Sequence, residues 1–162
     1  MPEIIVIIHN IRSTHNVGSI FRTCEGFGVS KIILSGYSPY PVIPNDTRLP
    51  HIRNKLNEQI HKTALGAENL VESTYQIEPD FDELKRQGYV LVGLEQDDRS
   101  INIRDYKKPD KLALIIGEEV NGITDDIRKK CDDIIEIPMK GQKESFNVSV
   151  AVGIALYELT TT

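Results

Sequence analysis

Five apolar runs rich in Ile, Val and Leu punctuate the chain, at residues 4–8, 31–34, 89–94, 112–116 and 134–137. None alternates strictly with polar residues, which is the pattern of strands buried on both faces of a parallel sheet. Between them, helical segments are predicted at 19–27, closed by Gly28, at 50–63, at 80–87, stopped by Gly88, and at 124–130. Thr124 stands where a helix cap belongs, just before Asp125 and Asp126. A last helix is predicted over 147–159, where Ala151, Gly153 and Ala155 let a neighbouring backbone come close. Residues 35–49 read as a loop, broken by Gly36, Pro39, Pro41 and Pro44. Strand and helix alternate, so the fold class is α/β: a mostly parallel sheet with helices on both faces.

At 162 residues the chain suits one domain, 1–162, with a core of its own. No apolar run reaches the ~18 residues of a membrane span, and no leader pattern opens the chain, so a cytoplasmic location is expected. Cys24 and Cys131 are far apart and read as reduced core residues. His9, His15, His51 and His61 lack metal-ligand spacing, and no metal is expected.

The net charge of −5 argues against a generic nucleic-acid binder. The average conceals an asymmetry. Residues 1–66 hold seven Lys and Arg against four acids, a balance of +3, which permits a local anion-binding face. Familiar nucleotide signatures fail: no Gly-x-Gly-x-x-Gly follows a strand, and Gly117 to Gly122 has phosphate-loop spacing without the following Lys-Ser/Thr. A dinucleotide dehydrogenase and a P-loop ATPase are therefore disfavoured.

Three polar segments abut apolar ones. Asn16, Gly18 and Arg22 follow the first strand, Gly117-Glu118-Glu119 with Gly122 follows the fourth, and Ile137-Pro138-Met139 leads to Ser145-Phe146-Asn147-Val148-Ser149 after the fifth. The carboxyl ends of parallel strands are where α/β proteins bind ligands. In order and spacing the three segments resemble the motifs of the SpoU/TrmH family of RNA ribose methyltransferases, in the SPOUT class. Phe146 stands where Leu is commoner.

The resemblance implies a C-terminal deep trefoil knot, which the hydrophobic pattern alone cannot reveal. It also implies S-adenosylmethionine as methyl donor, leaving as S-adenosylhomocysteine, a ribose 2′-OH of RNA as acceptor, and a homodimer. Leu94, Glu95, Gly117, Ile137, Met139, Ser145 and Phe146 become the expected cofactor contacts. Arg22, Asn16, Glu119, Ser145 and Asn147 become the expected catalytic set, and Arg12, Asn16, Arg22, Arg48 and Arg53 the expected RNA contacts. Since the first motif lies close to Met1, leaving no room for a separate RNA-binding domain ahead of it, tRNA is favoured over rRNA. The alternatives are an rRNA target, or a non-catalytic α/β module that binds a nucleotide or RNA.

Methyl transfer from a sulfonium demands alignment above all, a proximity term worth up to ~7–11 kcal/mol. Glycine at position 117 would let the donor approach the backbone. A guanidinium grips phosphate bidentately but is a poor free base, so Arg22 is assigned to positioning an RNA phosphate and activating the 2′-OH, with the final proton acceptor left open. Asn16 is read as an RNA or Arg22 contact, or as a helix cap. Glu119 is read as a partner of Asn147 or Arg22, or as a solvated strand end. Ser145 and Asn147 face the methionyl tail or the acceptor ribose, unless Ser145 caps the last helix. In the closing helix, Val148, Val152, Ala155 and Leu159 form either a dimer face or an intrachain core face.

Overall fold

The computed structural model describes residues 1–161. Its centre is a pair of parallel strands, β1 (Glu3–His9) and β6 (Lys111–Ile116), in register from Glu3 opposite Lys111 to Ile8 opposite Ile116. β2 (Lys31–Ser35) and β3 (Ser73–Gln76) extend the sheet on one side. β4 (Val90–Leu94), β7 (Asp133–Glu136) and β5 (Ile101–Asn102) extend it on the other. The order is β3-β2-β1-β6-β4-β7-β5, and every strand pair is parallel.

Continuous apolar runs have the consequence expected of them. Within β1, Ile4, Val6 and Ile8 enter one core while Ile5 and Ile7 enter the other; β6 divides Leu112, Leu114 and Ile116 from Ala113 and Ile115 in the same way. The first core is covered by α1 (Thr14–Gly26), α2 (Pro50–Ala64) and α5 (Val148–Thr160). The second lies under α3 (Phe81–Arg86) and α4 (Asp125–Lys130). Each fully buried Ile or Leu contributes ~1.5–3 kcal/mol of transfer free energy, so both layers are anchored.

The edge strands are absent from the hydrophobic pattern. β3 reads Ser-Thr-Tyr-Gln and is half-buried throughout, and β5 has two residues. An edge strand buries too little to need an apolar run. α1 begins five residues before the expected start, because the Ser13 side chain accepts from the Asn16 N–H and caps the helix there. Gly18 then lets α1 meet α2: a Cβ at this position would stand 2.1 Å from Thr63 Oγ1 and 2.3 Å from the Ile60 carbonyl oxygen. Thr124 caps α4 by accepting from Ile127 N. Cys24 and Cys131 are buried and unpaired; burial pushes the Cys131 thiol up to about 11 and Cys24 higher still.

The closing helix decides between two readings. Val152, Ala155 and Leu159 are fully buried in the chain's own core, so that face is intrachain. The exposed apolar stripe lies elsewhere, at Phe146, Val150 and Tyr157.

Candidate active site

Loops leaving β4, β6 and β7 converge on a cavity of about 260 Å³ at the carboxyl ends of their strands. All seven residues expected to touch a cofactor line it: Leu94, Glu95, Gly117, Ile137, Met139, Ser145 and Phe146. Ile116, Val148 and Ala151 add apolar wall, and Glu118, Glu136 and Glu144 add carboxylates.

Each loop is shaped by contacts that the sequence left unseen. Glu95 acts as a staple, its Oε2 accepting from Ile123 N at 3.0 Å and its Oε1 from Gln96 N at 3.0 Å. Gln96 Nε2 donates to the Glu144 carbonyl at 2.8 Å, tying the β4 loop to the stretch after β7. The loop after β6 folds back on itself: a Cβ at Gly117 would lie 2.6 Å from both the carbonyl carbon and the carbonyl oxygen of Gly122. Glycine at 117 is thus required by the loop's own backbone, rather than by the approach of a ligand. Gln96, Glu136 and Glu144 were missed because none belongs to a recognisable motif and each depends on non-local loop contact.

Motif residues meet in a short polar chain. Asn16 Nδ2 donates to Glu119 Oε1 at 3.2 Å, and Asn147 Nδ2 donates to Asn16 Oδ1 at 3.3 Å. Asn147 Oδ1 in turn accepts from the N–H groups of Ser149 and Val150, capping α5. Three of the readings above change accordingly. Ser13 rather than Asn16 caps α1, Asn147 rather than Ser145 caps α5, and Glu119 pairs with Asn16 rather than with Asn147 or Arg22. Asn16 is freed from capping to join segments that lie 103 and 131 residues away.

Arg22 stands apart. It is exposed on α1, lines no part of this cavity, and among the described residues makes no hydrogen bond or ion pair. The other arginines divide. Arg12 is exposed over the Tyr37 ring, its guanidinium carbon 5.0 Å from the centroid. Arg48 and Arg53 hold the loop after β2 together. Arg48 donates to the Asp46 carboxylate at 2.6 Å and to the carbonyls of Tyr40 and Pro41, and Arg53 donates to the carbonyls of Asp46 and Arg48. These two, expected as RNA contacts, clamp this loop within the chain, and Arg48 also lines a neighbouring groove. The Arg48 hydrogen bond holds the Asp46 carboxyl well below the usual carboxylate range.

The cavity suits a ligand with an apolar ring and cationic groups, because apolar walls and five glutamates line it against a single basic residue, Arg128. Among the described residues no group of three His, Cys, Asp or Glu is arranged to hold a metal ion, and no helix is long and apolar enough to cross a membrane.

A parallel sheet covered on both faces, with a ligand cradle at the carboxyl ends of β4, β6 and β7, is the architecture of an α/β ligand-binding domain. The chain belongs to the SpoU rRNA Methylase family, whose model matches residues 3–157. It is 32% identical over 160 residues to a tRNA (guanosine(18)-2′-O)-methyltransferase of Aquifex aeolicus, covering 96% of this chain and 68% of that one. It is 30% identical over 160 residues to a 23S rRNA (guanosine-2′-O-)-methyltransferase of Nitrosomonas europaea, covering 97% of this chain and 55% of that one. The chain thus spans little more than half to two thirds of the length of these curated relatives. Among solved structures, the A. aeolicus TrmH/SpoU tRNA modifying enzyme superposes with a TM-score of 0.80 at 27% identity, over 99% of this chain and 75% of that one. An AdoMet-bound rRNA methyltransferase from Sinorhizobium meliloti shares the fold, with a TM-score of 0.79 at 24% identity over 97% and 55% of the two chains.

Proposed function

We propose that this chain is an S-adenosylmethionine-dependent methyltransferase acting on a ribose 2′-OH of RNA. The observation that carries the reading is the cradle itself, where residues of the second and third motifs line one cavity and Asn16 of the first is bonded to both. When bound, S-adenosylmethionine would supply an electrophilic methyl group for the 2′ oxygen and leave as a neutral thioether, the hydroxyl proton going to solvent. The chain's residues bind and align. Leu94, Ile137, Phe146 and Val148 provide apolar surface for an adenine ring, and Glu136 and Glu144 provide negative charge for cationic groups. Asn16, fixed between Glu119 and Asn147, sets the rim where the acceptor ribose would enter.

Arg22 is assigned to gripping an RNA phosphate, and its place outside its own cradle supports a homodimer in which it serves the partner's. The apolar patch of Val150 and Tyr157 on α5, with Phe146 just ahead of that helix, is 39–58% exposed and is the surface for such pairing. The interlaced strand order supports the knot, since the chain passes from β4 to β5 across β7, and from β6 to β7 across β4. Among RNAs we favour tRNA, because the A. aeolicus tRNA enzyme matches over more of its own length than the N. europaea rRNA enzyme. A cytoplasmic location accords with such a substrate.

The test combines labelled donor, tRNA and 23S rRNA, with mass spectrometry to locate ribose methylation. Label entering tRNA at a 2′-O position is expected. Donor binding without labelling of either RNA would instead support the non-catalytic module. Mixing Arg22→Ala with a cradle-defective Gly117→Val should restore transfer that neither variant shows alone, and no restoration would end the shared-site dimer.

A further inference from the structure

A second cavity, of about 830 Å³, opens beside the cradle and is lined by Arg12, Tyr37, Tyr40, Arg48, Gln59 and Tyr75 among others, with no Asp or Glu. We propose that this groove seats a nucleotide adjacent to the methylated one, its base stacked on the Tyr37 ring and its phosphate on the Arg12 guanidinium. The proposal rests on the RNA methyltransferase reading and names the part of the substrate that the cradle leaves unaccounted for.

Tyr37 is an exposed aromatic on a rigid mount. The residue is 46% exposed, yet its backbone N–H donates to Asn10 Oδ1 at 3.0 Å, and the Gly36 carbonyl before it accepts from Tyr75 O–H at 2.6 Å. Gly36 and Asn10 both adopt positive φ, 63° and 57°, to bring the turn and the end of β1 together. Holding a large ring in water by several fixed hydrogen bonds does nothing for the core. It makes a stacking platform, and stacking accepts any base because every base has a π-face.

Charge selects the same occupant. Arg12 lies over Tyr37 with no acid partner among the described residues, so its donors are available to phosphate. Arg48 shapes the floor, bonded to Asp46 and 3.5 Å above the Tyr40 ring, which is itself stacked on Tyr75 at 4.2 Å. Position agrees. Arg12 precedes Asn16 by four residues, and β2, which carries the turn, is separated from β6 only by β1. Two strand spacings are about 10 Å, a gap that neighbouring nucleotides of one strand can bridge.

The chain has no tryptophan, so Tyr37→Trp creates a single indole on the platform that can be excited apart from the tyrosines. Titration with unfractionated tRNA and 23S rRNA, without donor, should quench its emission, while a fully paired RNA duplex should not. Tyr37→Ala should weaken binding of the preferred RNA about tenfold, whereas Tyr37→Phe keeps the ring and the affinity. Arg12→Gln should lower the slope of log affinity against log salt by about one. Unchanged RNA affinity in Tyr37→Ala would overturn the platform, as would equal quenching by duplex or no quenching by either RNA. Thermal melts of each variant guard against misfolding. Quenching with no methyl transfer by the native chain would sink the enzymatic reading and spare the groove. Full transfer by Tyr37→Ala would do the reverse.

Discussion

Two cavities sit side by side at the carboxyl edge of one sheet, and they differ in charge and in construction. The cradle after β4, β6 and β7 is lined by five glutamates and one arginine, and it is tied across loops by Glu95 and Gln96. The groove after β1 and β2 is lined by Arg12 and Arg48 without an acid, and it is shaped by an arginine-clamped loop and stacked tyrosines. A chain of net charge −5 thus separates its signs by site, where each acts at short range. The lesson is that overall charge excludes little: a negative protein can carry an acid-free groove lined by arginines next to a pocket lined by glutamates. Asn16 lies between the two regions, four residues after Arg12 and bonded to Glu119 and Asn147.

The largest expected effect separates alignment from binding. Arg22 lines neither cavity, so Arg22→Ala should leave donor affinity within about twofold by calorimetry, while transfer falls by more than ~100-fold. Loss of donor binding in this variant would place Arg22 in the cradle instead. Next in size, Gly117→Ala drives a Cβ against the Gly122 backbone and must open the cradle loop, since backbone there cannot yield as a flexible side chain would. Donor affinity should fall more than ~10-fold with RNA affinity in the groove retained. Equal loss of both would show that the two cavities are not independent.

The link between them can be cut in two ways. Asn147→Ala removes both the cap of α5 and the bond to Asn16, and should lower stability by ~1 kcal/mol as well as reduce transfer. Asn147→Asp keeps an acceptor for the Ser149 and Val150 N–H groups but cannot donate to Asn16. It should restore the melting temperature and leave transfer low. Recovery of both would mean that Asn147 serves only as a cap.

These regions were not equally legible in the sequence. The central strands could be read because β1, β6, β4 and β7 are buried on both faces and must be apolar, and the cradle could be located because its residues lie next to those strands. The edge strands were hidden, as Ser73–Gln76 is only partly buried and carries no apolar run. Individual side-chain roles were hidden too. Whether Ser13 or Asn16 caps α1, or whether Arg48 faces solvent or Asp46, depends on loop conformations settled by long-range contacts. Whether the Val148, Val152, Ala155 and Leu159 face of α5 was core or interface stayed open, because a helix apolar on nearly every face has no period to reveal which side is covered.

The smallest effect concerns the groove's floor and is read through pH. Asp46 is held below its ordinary range first by its hydrogen bond to Arg48, against its burial, which raises it, with backbone donors from Arg48 and Ile43 adding to the lowering. A depressed carboxyl contributes stability that is fully present above its unfolded value, near 3.9, and is lost as pH falls through the folded value. At pH 7, Asp46→Asn should therefore lower Tm by about 3 °C. The gap between native and variant should close as the pH is taken below 4. Donor affinity in the cradle should not change in either protein at neutral pH. A gap that persisted undiminished into acid would mean that the loop is held by shape alone, and the contrast between a charge-clamped groove and a backbone-folded cradle would fail.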